Sequence, residues 1–167
     1  MKSAGFSVIE VLVALIVISI GLLGLANLQL AGLRQAHSAM LHTQATTLAH
    51  DVIDRMRGNY PGFSLGAYDT AFTAVPPDPA AVPVCNTVAS DCTPAQIALA
   101  DLVEWKCMLG AWESVALCAG TLGTVAQLPG GDAEILRTGD DTTVTVRWQD
   151  RSNTLPPVFT VTTSVKP

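Results

Sequence analysis

Residues 5–33 read GFSVIEVLVALIVISIGLLGLANLQLAGL, and the one charged residue among them is Glu10. Between Glu10 and Arg34 lie 23 uncharged residues. As a helix that run is about 34 Å long, more than the roughly 30 Å hydrocarbon core of a bilayer. A core helix of a soluble domain keeps a polar face. Here only Ser19, Asn27 and Gln29 interrupt the apolar run. The stretch reads as a membrane span, and Glu10 is then the residue to explain. A charged side chain at the centre of a membrane helix costs roughly 2.5–3.5 kcal/mol.

The rest of the chain fits one domain behind this segment. It has 167 residues, 49% of them hydrophobic and 14% charged, whereas soluble domains are about 25% charged. The net charge of −5 argues against a nucleic-acid partner. From Gly58 onward the only cations are Lys106, Arg137, Arg147, Arg151 and Lys166.

The N-terminus differs from a secretory signal in several ways. Its basic region is only Met1-Lys2, its apolar run is about twice an ordinary signal core, and Glu10 carries charge where none is wanted. No small-residue cleavage site follows the run. Gly5-Phe6-Ser7-Val8-Ile9-Glu10 instead resembles the type III signal of type IV pilins. Ala4 stands where many relatives carry Lys or Arg. The resemblance implies cleavage between Gly5 and Phe6 by a prepilin peptidase and methyltransferase, and N-methylation of Phe6. Further stretches are similar to the type IV pilus modification (minor pilin) protein PilV family. They are Ile9–Leu15, Ser19–Ala26, Asp54–Asn59, Cys92–Gln96 and Leu128–Gly131.

That resemblance implies a role for Glu10 in subunit assembly. Cleavage would leave a cationic amine on Phe6, and methylation preserves that charge. An amine and a carboxylate about 4 Å apart attract by roughly 4 kcal/mol at an effective dielectric of 20. This is enough to offset the insertion cost. In a fibre the amine would belong to a neighbouring subunit, and the pairing would set axial register. The alternatives are a pair within one chain, since Phe6 and Glu10 are one helical turn apart, or a Glu10 resting at the headgroups.

The helix is expected to continue beyond the membrane. Leu33, Ala36, Met40, Leu41, Ala45, Leu48, Val52 and Met56 form one stripe at helical spacing. Asp51–Arg55 and Asp54–Arg57 put acid before base at i,i+4 and i,i+3. Gly58 is expected to cap the C-terminus, with Pro61 after it. Gly21, Gly24 and Gly32 weaken the helix by up to about 1 kcal/mol each. They invite either close packing or local melting. His37, His42 and His50 lack the i,i+4 spacing of a zinc pair.

The head is read as loop from Gly58 to Pro94, then a helix, then strands. Thr93-Pro94-Ala95-Gln96 is a capping box with proline at the first helical position. Ile97, Leu102, Trp105 and Leu109 form the apolar face behind it, and Gly110 ends it. Residues 143–148 and 159–165 alternate with period two, and 133–137 is a third candidate strand after the Gly130-Gly131 turn. The four cysteines are expected to form Cys85–Cys92 and Cys107–Cys118, against a pairing of Cys85 with Cys107 or Cys118. Asp132, Glu134, Asp140 and Asp141 read as polar turns rather than a calcium site. A head without histidine carries no Ser/His/Asp or Cys/His set. No enzyme, metal or cofactor is expected.

The fold class expected is α+β and pilin-like, a long N-terminal helix packed on a small antiparallel β-meander head with one extra short helix. The divisions are a leader at 1–5, a transmembrane and assembly helix at 6–33, an amphipathic stalk helix at 34–57 and a periplasmic or extracellular head at 58–167. The function implied by the resemblance is a minor pilin. It would be held in the bacterial inner membrane, help to initiate pilus assembly and end near the pilus tip. Its partners would be the other minor pilins, the major pilin, the peptidase and a tip adhesin. The alternatives are a minor pseudopilin of a type II secretion system and a membrane-tethered binding protein that never polymerises.

Overall fold

The computed structural model describes residues 7–85, 91–112, 118, 125–139, 141–150 and 157–165, leaving aside the side chains of Val161 and Ser164. The chain forms two compact units, Met1–Ala39 and Met40–Pro167. Helix α1 runs over Val8–Gly58, α2 over Tyr60–Ser64 and α3 over Pro94–Leu109. Strands β1, Asp132–Thr138, β2, Asp141–Arg147, and β3, Val158–Ser164, follow.

In the first unit every residue from Ser7 to His37 is exposed. The helix is continuous through Gly21, Gly24 and Gly32. A Cβ added at any of these three would meet nothing within 4 Å. α1 is long and apolar enough to cross a membrane.

In the second unit the stripe of α1 becomes a core face. Leu41, Ala45, Leu48, Ala49, Val52, Ile53 and Met56 are all buried. Each leucine-sized side chain removed from water contributes about 1.5–3 kcal/mol. The covered stripe begins at Leu41, so Leu33 and Met40, expected on it, remain exposed. The same core contains Trp105 and Leu109 of α3, Ile135 of β1 and Val144 and Val146 of β2.

The sheet is an antiparallel meander in the order β1-β2-β3. Its register sets Ala133, Val146 and Phe159 in one row and Ile135, Val144 and Val161 in the next. Period two therefore puts Ala133, Ile135, Val144 and Val146 on the face toward α1, with Phe159 packed beside them. Opposite, Thr143 and Thr162 bring their hydroxyls within 3.1 Å of each other. A long N-terminal apolar helix with a small antiparallel sheet and an extra helix is the pilin architecture.

Three local features depart from the sequence expectation. Gly58 is the last residue of α1, but it does not take the left-handed conformation of a cap. The turn is made by Asn59, whose carboxamide accepts from the Gly62 N–H and donates to the Pro94 carbonyl at 2.8 Å. Asn59 thereby caps α2, a helix within the stretch read as loop. Gly62 is required there because a Cβ would stand 2.6 Å from the Pro94 carbonyl oxygen. α3 also buries more than one face. Val103 and Cys107 join Trp112 and Cys118 in a second apolar cluster.

The start and stop of α3 follow its sequence signals. Thr93 and Gln96 complete a reciprocal capping box, and Gly110 closes the helix at φ 104°. The expected pairs on α1 also form, Arg55–Asp51 and Arg57–Asp54, each at 2.9 Å. Cys85 is bonded to Cys92 and Cys107 to Cys118, with Cα separations of 5.8 and 5.3 Å.

Candidate functional site

Two charge clusters tie the head together, and neither was visible as a cluster in the sequence. In the first, Arg55 of α1 reaches beyond Asp51 to Glu104 at 2.9 Å and Asp101 at 3.3 Å on α3. Burial opposes the guanidinium charge. The hydrogen bond to Glu104 and the three carboxylates outweigh it and hold the Arg55 pKa above its usual value. Asp101 also accepts from the Tyr68 hydroxyl at 2.5 Å. Burial and that acceptor both keep the phenol protonated, raising its pKa.

The second cluster centres on Asp132 at the start of β1. Lys106 of α3 is 1% exposed. Its ammonium donates to Asp132 Oδ1 at 2.8 Å, to the Ala71 carbonyl at 3.1 Å and to the Ala133 carbonyl. Asp132 Oδ2 accepts from the Thr73 N–H at 2.8 Å and from Arg147 at 3.2 Å. Burial disfavours both charges. It lowers the Lys106 pKa, with Asp132 acting against the shift. For Asp132 the hydrogen bonds from Lys106, Thr73 and Ala133 prevail, so its carboxyl stays below the usual range. An Asp132 so engaged has no lone pairs directed at a calcium ion. Among the described residues no group of three or more His, Cys, Asp or Glu is arranged to hold a metal. Asp140 lies outside the described residues.

Beside Asp132 lies a cleft of about 650 Å³. It is walled by Thr73–Pro76 on one side and by Gly110–Trp112, Gly130–Asp132 and Arg147–Gln149 elsewhere. Arg147 lies with its guanidinium carbon 4.1 Å from the Phe72 ring centroid. Thr73 has φ 57°, a left-handed conformation that is strained for a β-branched residue. Such strain costs of order 1–3 kcal/mol. What it provides is the N–H aimed at Asp132.

At the other end of the chain, Glu10 lies in the exposed first turn of α1, its N–H bonded to the Ser7 carbonyl at 3.0 Å. A carboxylate there faces the positive end of the helix dipole. From this turn the uncovered apolar surface continues as far as Leu33. The cleavage and methylation residues, Gly5 and Phe6, lie outside the described residues. Residues 1–26 match the prokaryotic N-terminal methylation motif. This motif is typical of type IV pilins and pseudopilins. It contains Gly5, Phe6 and Glu10, and it ends within the apolar run. No curated protein and no solved structure matches the chain significantly. The methylation motif, the exposed apolar helix and the disulfide-bonded head are together consistent with a membrane-anchored, pilin-like protein.

His42 packs edge-on against Trp148, with ring centroids 4.8 Å apart. His50 meets the Thr46 carbonyl one turn back at 2.8 Å. The three histidines therefore form no common site among the described residues. Sequence reasoning missed Lys106 as a buried charge. Its position between Trp105, read as part of the apolar face, and Cys107, read as a disulfide partner, was the available signal.

Proposed function

We propose that this chain is a minor pilin of the PilV type, a structural subunit of a type IV pilus that helps to initiate assembly and remains near the tip. The observation that carries the reading is Glu10 within the methylation motif, at the head of an apolar helix with no cover of its own. In a membrane the lipid covers that helix. In a fibre the helices of neighbouring subunits do, and Glu10 meets the amine of one of them. The prepilin peptidase cuts after Gly5 and methylates Phe6. The head, held together by two disulfides, stays on the outer side of the inner membrane. Its partners are other minor pilins, the major pilin and a tip adhesin.

The test is mass spectrometry of the protein from membranes and from sheared pili. A mature chain beginning at N-methylated Phe6, present in both fractions, is the expected result. An intact Met1 would overturn the reading in favour of a tethered binding protein. A processed chain found with secretion components and absent from pili would make it a minor pseudopilin.

A further inference from the structure

Among the described residues Arg147 is the cation that the head cleft presents to solvent, and it is held from two directions. Asp132 takes one of its N–H groups, and Phe72 lies under its plane. Its side chain is nonetheless 36% exposed. Lys106 and Asp132 neutralise each other behind it, so the guanidinium faces the cleft as a fixed positive group. The orientation is costly, because it depends on a buried ammonium and on the strained Thr73. Two residues after Arg147, Gln149 also lines the cleft. It is exposed, and its carboxamide has no hydrogen bond among the described residues.

The segment after Phe72 also lines the cleft. Val75 lies outside any helix or strand and is 87% exposed. Neither its N–H nor its carbonyl is hydrogen-bonded among the described residues. A guanidinium with free donors, a carboxamide and an unpaired main-chain donor and acceptor thus line one cleft.

We propose that this cleft docks an extended, acidic segment of a partner protein, with a carboxylate on Arg147 and Gln149 and main-chain hydrogen bonds to Val75. The planar fork of an arginine matches a carboxylate. Pairing of an extended peptide to an open stretch of backbone supplies the remaining contacts. A small free anion would use Arg147 and leave Val75 and most of the cleft empty. A sugar would need an aromatic face, but Trp112 and Trp148 are 8% and 1% exposed. The inference stands apart from the pilus proposal, because its test uses free peptides.

The test is a positional-scanning library of capped hexapeptides, with aspartate or asparagine fixed at each place, against the full-length protein in detergent micelles. Aspartate peptides should be retained at least ten-fold better than their asparagine counterparts. Methylating the backbone nitrogens next to the aspartate should abolish retention. Arg147→Met should remove the aspartate preference. Gln149→Ala touches only an exposed side chain, so it should weaken binding several-fold with an unchanged melting temperature. Equal retention of aspartate and asparagine peptides would overturn the proposal, as would an aspartate preference that survives Arg147→Met. Sodium acetate competing as well as the peptides do would also overturn it, reducing the cleft to a simple anion site.

Discussion

The indole N–H of Trp105 donates to the main-chain carbonyl of Leu48 at 2.8 Å, which bonds α3 to α1 inside the core. Leu48 is mid-helix, so its carbonyl also accepts within the α1 ladder. Loss of the indole donor therefore does not leave that carbonyl unsatisfied. Trp105→Phe is expected to cost about 1–2 kcal/mol, the hydrogen bond and some packing. Trp105→Ala should cost about 3–5 kcal/mol through the cavity. Chemical denaturation of the full-length protein in micelles distinguishes the two. Equal losses would show that the hydrogen bond, and not the packing, dominates.

The Asp132 cluster predicts an asymmetry. Asp132→Ala strands the Lys106 ammonium among carbonyls, and breaking a buried pair in this way costs about 3–5 kcal/mol. Lys106→Met leaves Asp132 with Arg147 and two N–H donors, so it should cost about 1–2 kcal/mol. A Lys106→Met loss as large as that of Asp132→Ala would contradict this account.

The same cluster sets a pH dependence. The folded-state pKa of Asp132 is depressed, so its contribution is present above the unfolded value of about 3.9. That contribution is lost as pH falls through the folded pKa. The Lys106 pKa is also lowered, so this group makes stability rise with pH between its folded value and about 10.4. Unfolding midpoints should therefore drop below about pH 4 in the wild type. The drop should be shallower in Asp132→Asn. Parallel acid limbs for the two proteins would refute the assignment.

The hydroxyl of Thr142 is fully buried on the core face of β2 and has no hydrogen-bond partner among the described residues. An unsatisfied buried hydroxyl costs about 1–3 kcal/mol, and valine has nearly the same shape. Thr142→Val is expected to raise stability by about 1 kcal/mol. A measured decrease would mean that the hydroxyl has an acceptor or water in solution.

For Glu10 the prediction concerns assembly. Glu10→Ala should leave processing and membrane insertion unchanged, because the residue lies beyond the Gly5–Phe6 bond and a neutral side chain enters lipid more easily. Its amount in sheared pili should fall. Equal recovery of mutant and wild type from pili would remove the intersubunit role.

The sequence was most legible where one local signal determines one structure. Uncharged residues 11–33 marked the exposed apolar helix, and Thr93, Gln96 and Gly110 marked both ends of α3. Period two placed β2 and β3, and the Gly130-Gly131 turn placed β1, each to within a residue or two. What escaped depends on contacts between distant segments. Asn59 caps α2 and also bonds to Pro94, 35 residues away. Lys106 is buried because Asp132, 26 residues later, meets it there. The cleft has the same origin, since Thr73 and Arg147 are brought together by Asp132 and by the stacking of Arg147 on Phe72.

The two disulfides each join a cysteine to the next one along the chain, over 7 and 11 residues. Under the proposed function the head follows its anchor across a membrane, which exposes its thiols one at a time. Here the first to emerge finds its proper partner in the second, and the third in the fourth. Simple oxidation in order of arrival thus produces the native pairing before Asp132, where the first strand begins, has even appeared. Biogenesis of this protein should accordingly need an oxidant but no reshuffling catalyst. Its yield should be the same in cells with and without a disulfide isomerase.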